Sequence, residues 1–488
     1  MPPYSTSTQT LPHRRRFFNR TADGLLGAAL LALSGSTATR AKERGHSPTG
    51  HPSDESGNPH YTPRARSVIQ LFMNGGPSQM DLFDPKPMLT KHHGEAYFSK
   101  IAGEVENPQS AGALMQSPFK FAQHGESGMW VSDALPHLSK CTDDLALIRS
   151  MHAPSLTHEP ALYKIHSGSL LPGYPSLGSW VTYGLGSENE NLPAYIVLDD
   201  PRGLPINRTQ NWQAGFLPPQ FQGTRFRSTG SPVLDLQRGF EEPDGITQME
   251  RQFREALDGL HLETHPGQPR LQARMKAYAL AARMQLSASD ALDLSQESEA
   301  IHDLYGIGQE PTDSYGRRCL YARRLVERGV RFVQLFIDNQ IWDNHTDLAG
   351  GLKGACERTD RPIAALLKDL KQRGLLDSTL VIWGGEFGRL PIAQLPGDKD
   401  ASKAGRDHNK NAMVTWMAGG GVRGGISHGS TDDLGLAVAN EPVSVEDWHA
   451  TILHLLGLHH QKLAYPRNGL DERITGVSQP RVVDEILA

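Results

Sequence analysis

The sequence is poor in cysteine. Only Cys141, Cys319 and Cys356 occur among 488 residues, an odd number, widely spaced and without a CxxC pair. That excludes a disulfide framework and a thiolate metal site, and leaves small buried apolar residues as the simplest role for the three. Charge of one sign is also scarce: 49 Lys and Arg face 54 Asp and Glu, a net of -5, so there is no basic excess to hold nucleic acid. No apolar run reaches the roughly 20 residues needed to span a bilayer, and no internal repeat is present. Glycine and proline, 49 and 33 residues, stay below the roughly 25–30 % that marks low complexity. With 38 % hydrophobic residues there is enough apolar mass for a large core, and the chain reads as a folded, loop-rich globular protein.

At the N-terminus Arg14-Arg15-Arg16-Phe17-Phe18 precedes an apolar run over 25–33 and the small residues Ser36-Thr37-Ala38, which is the order of a twin-arginine export signal. The expectation is a signal peptide over 1–38, cleaved after Ala38, recognition by the twin-arginine export machinery, and a periplasmic or extracellular mature protein without a stable transmembrane anchor. Residues 39–66, rich in Ser, Gly, Pro, His and charge and without apolar periodicity, read as a flexible linker. The folded domain is expected over 67–488.

Residues 67–73 form a β-rich apolar run that stops at Asn74-Gly75-Gly76-Pro77, a breaker cluster. Further strands are expected at 145–148, 195–198, 331–337, 379–383 and 413–418. Helical patterns at 362–373 and 444–456 alternate with them, giving an α/β fold with a central, mostly parallel sheet and helices on both faces. The stretch 246–300 is charged and Ala/Leu-rich at helical spacing, and reads as a helical insertion. Ser444 with Asp447 opens the late helix as a capping box in which Asp replaces the usual Glu, and Gly457 ends it.

Ligands of α/β sheets bind at the carboxyl ends of strands. The polar residues next to the expected strands are Asn74 to Asp81, Asp338, Asp343-Asn344-His345, Glu386 to Arg389, and Gly405-Arg406-Asp407-His408-Asn409. Carboxylates and imidazoles brought from separate strand ends suit a divalent cation of borderline hardness. Arg389 and Arg406 flank these acids and are placed either to bind an anionic substrate bidentately or to form salt bridges with the local acids. His449, near the start of the late helix, either faces the site or lies on a surface turn.

The segments FMNGGPSQMDLFDPKP, SLTHEPALYKIHSG, VIWGGEFGRLP, GRDHN and DWHATILHLLGL resemble the DUF1501 family, which is distantly similar to sulfatases and the alkaline phosphatase superfamily; the resemblance covers about 67–460. It implies an alkaline phosphatase/sulfatase-like sandwich with one or two divalent metals per chain, Zn or Ca/Mg, that hydrolyses sulfate or phosphate esters. Carried over residue by residue, Asp343, His345 and His408 match one metal position. Glu386 stands where those enzymes have a ligand Asp, and Phe387 where they have His. Asn74 takes the place of the first-strand Asp, with Asp81 as a substitute ligand. The nucleophile position falls on Thr157 or His158. Formylglycine is excluded, because no Cys-x-Pro-Ser-Arg occurs. His158 is a candidate ligand, nucleophile or general base, with Glu159 orienting its ring; Ser78 ranks below Thr157 because it lacks a nucleophile elbow. The resemblance therefore implies an exported metal-dependent hydrolase acting on an anionic ester. The alternative is a non-catalytic exported binding or scaffold protein that retains the fold.

Overall fold

The apolar runs become strands because both of their faces are covered. In the computed structural model, which describes residues 58–227, 244–265 and 268–488, the strands are β1 (Ser67–Phe72), β2 (Leu145–His152), β3 (Tyr195–Leu198), β4 (Thr224–Phe226), β5 (Phe332–Phe336), β6 (Thr379–Gly384), β7 (Met413–Ala418), β8 (Ile426–His428) and β9 (Val443–Ser444). Among the described residues these nine form one sheet in the order β8-β2-β7-β6-β1-β5-β3-β4, with β9 also paired to β2. Every residue of β1, β3, β5 and β7 is buried, as a sheet packed on both sides requires.

The main helices are α1 (His158–Ser167), α2 (Leu177–Leu185), α3 (Asp244–Thr264), α4 (Pro269–Ala291), α5 (Glu299–Tyr305), α6 (Asp313–Glu327), α7 (Leu348–Gln372) and α8 (Val445–Leu455). Alternation along the strands divides the core. Val68, Phe72, Phe336 and Ile382 pack with Ile165, Trp180 and Ile452 of α1, α2 and α8. Ile69, Leu71, Leu335 and Trp383 pack on the opposite face with Leu320 and Leu366 of α6 and α7. Each such side chain contributes roughly 1.5–3 kcal/mol of burial. Cys141, Cys319 and Cys356 are buried and unpaired. Among the described residues no helix is long and apolar enough to cross a membrane.

Strand direction positions the site. β1 runs parallel to β5 and β6, with Phe72 opposite both Phe336 and Gly384, so the loops after these three strands leave the sheet side by side. β7 is antiparallel to both β2 and β6. The segment that precedes β7 therefore reaches the edge that the others reach by their ends, which is why His408 comes before its strand.

The region expected as a helical insertion contains α3 and α4. At α8 the capping box is formed: Ser444 Oγ accepts from Asp447 N at 3.1 Å, and Asp447 Oδ2 accepts from Ser444 N at 2.9 Å. The expected signal peptide and most of the linker lie outside the described residues. The boundary at 66 needs correction. Ala65 is fully buried, and the amides of Arg64 and Ala65 both donate to Leu455 O at 2.9 Å. This segment joins the body through backbone hydrogen bonds, which leave no trace in apolar periodicity.

Candidate metal centre

Asp343 and His345 lie in the loop between β5 and α7. His158 is the first residue of α1, with Thr157 as its N-cap, Glu386 follows β6, and His408 precedes β7. Asp343 is the hub. Its Oδ1 lies 2.9 Å from His345 Nε2, 3.1 Å from His408 Nε2 and 2.7 Å from Arg389 Nη2, and its Oδ2 lies 3.2 Å from His158 Nε2. His158, Asp343, His345 and His408 offer four ligand atoms that all lie within 4.8 Å of one another.

The other nitrogen of each ring is already engaged. His158 Nδ1 is 2.7 Å from Glu386 Oε1, and His345 Nδ1 meets Gln394 Oε1. His408 Nδ1 is 2.7 Å from Leu156 O, with Glu106 beside the same nitrogen. A neutral imidazole that donates its Nδ1 proton keeps its lone pair on Nε2. Three such lone pairs then face the oxygens of one carboxylate, a repulsive arrangement unless positive charge lies among them. His158 Nε2 sharpens the point: it is buried and, despite its 3.2 Å approach to Asp343, makes no aligned hydrogen bond. Three imidazole edges, each ring held from behind by an acceptor, plus a carboxylate held by Arg389, make the donor set and outer shell of a borderline divalent cation.

In the metal-free protein, protonation supplies that charge. Burial pulls His158 down, but the carboxylates of Asp343 and Glu386 on its two sides outweigh it and lift the ring to about 9. His345 is likewise lowered by burial and raised, on balance, mainly by Asp343. Burial pushes Asp343 up, yet the three imidazoles and Arg389 hold it well below the usual carboxylate range.

The local backbone is built for this convergence. Gly75 has φ +113°, and a Cβ there would stand 2.5 Å from Asp343 N. Only glycine lets the loop after β1 run against the Asp343 loop, and its amide donates to Glu386 at 3.0 Å. The Phe387 ring, with its centroid 4.8 Å from that of His158 and 4.3 Å from that of His408, forms an apolar wall. The side chain of His345 is 30 % exposed against 3 % for His408, so the cluster opens to solvent on the His345 side.

A family model described as "Protein of unknown function (DUF1501)" matches residues 65–487. The chain belongs to this family. Nothing matched among curated proteins. Solved structures to which the chain is similar include a lipoteichoic acid synthase from Listeria monocytogenes, at 10 % identity over 86 % of this chain and 76 % of that one, with a TM-score of 0.37. Another is a sulfatase from Pseudoalteromonas sp., at 14 % identity over 81 % and 68 %, TM-score 0.33. A third is a protein of the alkaline phosphatase superfamily from Vibrio parahaemolyticus, at 10 % identity over 90 % and 75 %, TM-score 0.33.

Of the residues singled out in this DUF1501 sequence, Asp343, His345, His408, His158 and Glu386 come together, and several others do not. Glu386 stands behind His158 and outside the four-residue ligand group. Asp81 is no substitute ligand, because Arg406 Nε and Nη2 approach its oxygens at 2.7 and 3.2 Å and Ser78 Oγ donates to it, all three residues being buried. The same bonds commit Ser78. Arg406 also donates to Leu390 O and Met115 O, and Arg389 to Asp343 and to the carbonyls of Gly75, Gly76, Trp342 and Arg406. The salt-bridge alternative therefore describes both arginines, and neither is free for a substrate. Asn74, read also as a substrate contact, braces the loop after β5: its Nδ2 donates to Ile337 O at 2.6 Å and Asn339 O at 2.8 Å, while its buried Oδ1 has no hydrogen-bond partner among the described residues.

Glu159 is exposed, and Glu386 rather than Glu159 orients the His158 ring. Thr157 is exposed, with its hydroxyl 3.3 Å from Ser155 Oγ. His449 is fully buried, with Nε2 2.9 Å from Ile165 O, and burial lowers it to about 4; it lies neither on a surface turn nor in the cluster. Gln394, Glu106 and the Leu156 carbonyl were not anticipated. Gln394 ends a short strand outside the central sheet, Ile392–Gln394, and Glu106 and Leu156 lie in loops, so only the tertiary fold brings them there. Glu106, Asp407 and His408 form a second group of ligand atoms within 4.8 Å of one another, in which the Asp407 oxygens also accept from Asn107 N and His408 N, each at 2.9 Å.

Proposed function

We propose that this DUF1501 protein is an exported, metal-dependent hydrolase of sulfate or phosphate esters. The observation that carries the reading is the convergence of three Nε2 atoms on Asp343 while each Nδ1 is held by an acceptor. His158, Asp343, His345 and His408 would hold the ion, and the N/O donor set favours zinc over calcium or magnesium. When bound, such an ion polarises an ester oxygen or a water. Glu386 fixes the tautomer and angle of His158, Gly75 fixes Glu386, and Phe387 keeps water from one side of the cluster. Glu386 holds the Nδ1 of His158 while its Nε2 faces Asp343 without an aligned hydrogen bond, so His158 takes the role of ligand. Thr157, exposed at the N-terminus of α1 beside it, takes the role of nucleophile. The ester class comes from the motif resemblance, and export from Arg14 to Arg16 with the apolar run after them.

One observation favours the binding-protein alternative: Arg389 and Arg406 are fully committed to protein acceptors, so neither can clamp an anionic ester. The experiment is elemental analysis of the purified mature protein and of Asp343→Ala and His408→Ala variants, followed by a sulfate and phosphate ester panel with and without Thr157→Ala. The hydrolase reading expects about one divalent ion per chain, lost in both variants, and ester cleavage lost in Thr157→Ala. Bound metal without cleavage of any ester supports the binding protein; wild-type protein that takes up no metal on reconstitution sinks the metal centre itself.

A further inference from the structure

Helix α3 is a 21-residue helix most of whose described positions are exposed. None of its described positions is buried, and only Asp258, Gly259 and Leu262 are half-buried. Isolated helices owe most of their stability in proteins to packing of an apolar face. Such a face exists on α3: Ile246, Met249, Phe253, Leu257 and Leu260 are each 42–60 % exposed. They stand seven and four residues before Phe253 and four and seven residues after it, which at 3.6 residues per turn puts all five within about 40° of the Phe253 direction.

The spacing reads the same in both directions from Phe253. We infer that α3 is the contact face of a homodimer, in which a second copy of the chain lays its own α3 antiparallel across a two-fold axis at Phe253. One protomer's Ile246 then meets its partner's Leu260, Met249 meets the partner's Leu257, and the two Phe253 rings meet on the axis, which is the self-complementarity a two-fold interface demands. Like charges do not oppose one another beside the stripe: Glu250 falls opposite Ala256 and Arg254 opposite Gln252. Covering the five side chains on both copies removes on the order of 1,000 Å² from water, the lower bound for a specific interface. A membrane surface is the poorer occupant, because the helix sequence carries Asp244, Glu250, Glu255, Asp258 and Glu263 against Arg251 and Arg254, whereas interfacial membrane helices are Lys/Arg-rich on their polar face.

The test uses the full mature chain. Sedimentation equilibrium is expected to show a monomer–dimer equilibrium, with Phe253→Glu raising the dissociation constant at least about tenfold while the thermal melt of the monomer is unchanged. Register is read by oxidation of introduced cysteines, the three native ones being buried. Phe253→Cys is expected to form a disulfide dimer alone, whereas Ile246→Cys and Leu260→Cys cross-link only when mixed. Self-cross-linking of Ile246→Cys would mean a parallel pair and overturn the geometry. A chain that stays monomeric at about 100 μM, or that is monomeric and co-sediments with anionic phosphatidylglycerol vesicles, would overturn the dimer.

Discussion

Asp343 and Asp81 both follow a core strand of one sheet, and both meet an arginine at 2.7 Å. Their surroundings differ in saturation. Around Asp81 every group is satisfied: Arg406 forks onto both oxygens, Ser78 donates its hydroxyl, and the remaining guanidinium hydrogens go to carbonyls. Around Asp343 the neighbouring imidazoles have given their Nδ1 sides to other acceptors, so the nitrogens that face Asp343 have nothing obligatory to do there. An acid next to an arginine is a strut when its neighbours' donors end on it, and a ligand when its neighbours' lone pairs do.

The widest separation between the two is expected in metal content. Asp343→Asn loses the bound ion, whereas Asp81→Asn retains it; equal loss in both, by elemental analysis, would erase the distinction. Stability is expected to move the other way. Asp81→Asn leaves Arg406 buried without its countercharge and costs about 3–5 kcal/mol in urea unfolding, and a cost well below 1 kcal/mol would show that pair to be dispensable. A third difference concerns pH. In metal-free protein the stability that protonated His158 contributes is fully present below its unfolded value near 6.5 and is lost as pH rises through its folded value of about 9. The amount is on the order of 3 kcal/mol. Metal-free protein should therefore lose stability between those pH values, and His158→Gln should flatten the profile. The smallest expected effect is at Glu386, where Glu386→Gln keeps the shape but weakens the hold on His158, lowering metal affinity about 10–100-fold in a chelator competition.

Much of this architecture was legible because the strands are apolar on both faces. Residues 67–72, 332–336, 379–384 and 413–418 could hardly be anything else, and the polar residues at their ends pointed to Asp343, His345 and His408. His158 is reached through motif resemblance, with its role left open, and the structure adds that Glu386 holds its Nδ1 while its Nε2 faces Asp343. Proximity to strand ends points to Asp81 as a ligand and leaves Arg389 and Arg406 between substrate contact and salt bridge, because whether a buried charge is free depends on which distant carbonyl or acid closes on it. Met115 and Trp342 supply such carbonyls from other loops. Gln394, at the end of a three-residue strand outside the central sheet, and Glu106, in a loop, escape for the converse reason: they are ordinary polar residues that only the folded chain delivers to an imidazole. The start of the body before 67 was hidden because backbone amides hold that segment, and amides carry no residue-specific signal.

The antiparallel strand β7 has a consequence for biosynthesis. It lies between β2 and β6, both of which are translated earlier, so the sheet cannot be assembled in the order in which the chain leaves the ribosome. Until residues 413–418 emerge, β2 and β6 each keep an open row of amides and carbonyls along the side that β7 will fill, and such edges invite pairing with other chains. Contacts that span so much sequence also form slowly. Six residues near the end of the chain therefore decide how long the nascent protein is vulnerable, and a ribosome that stalls before them releases a chain in which β2 has no partner strand and β6 is left as an open edge.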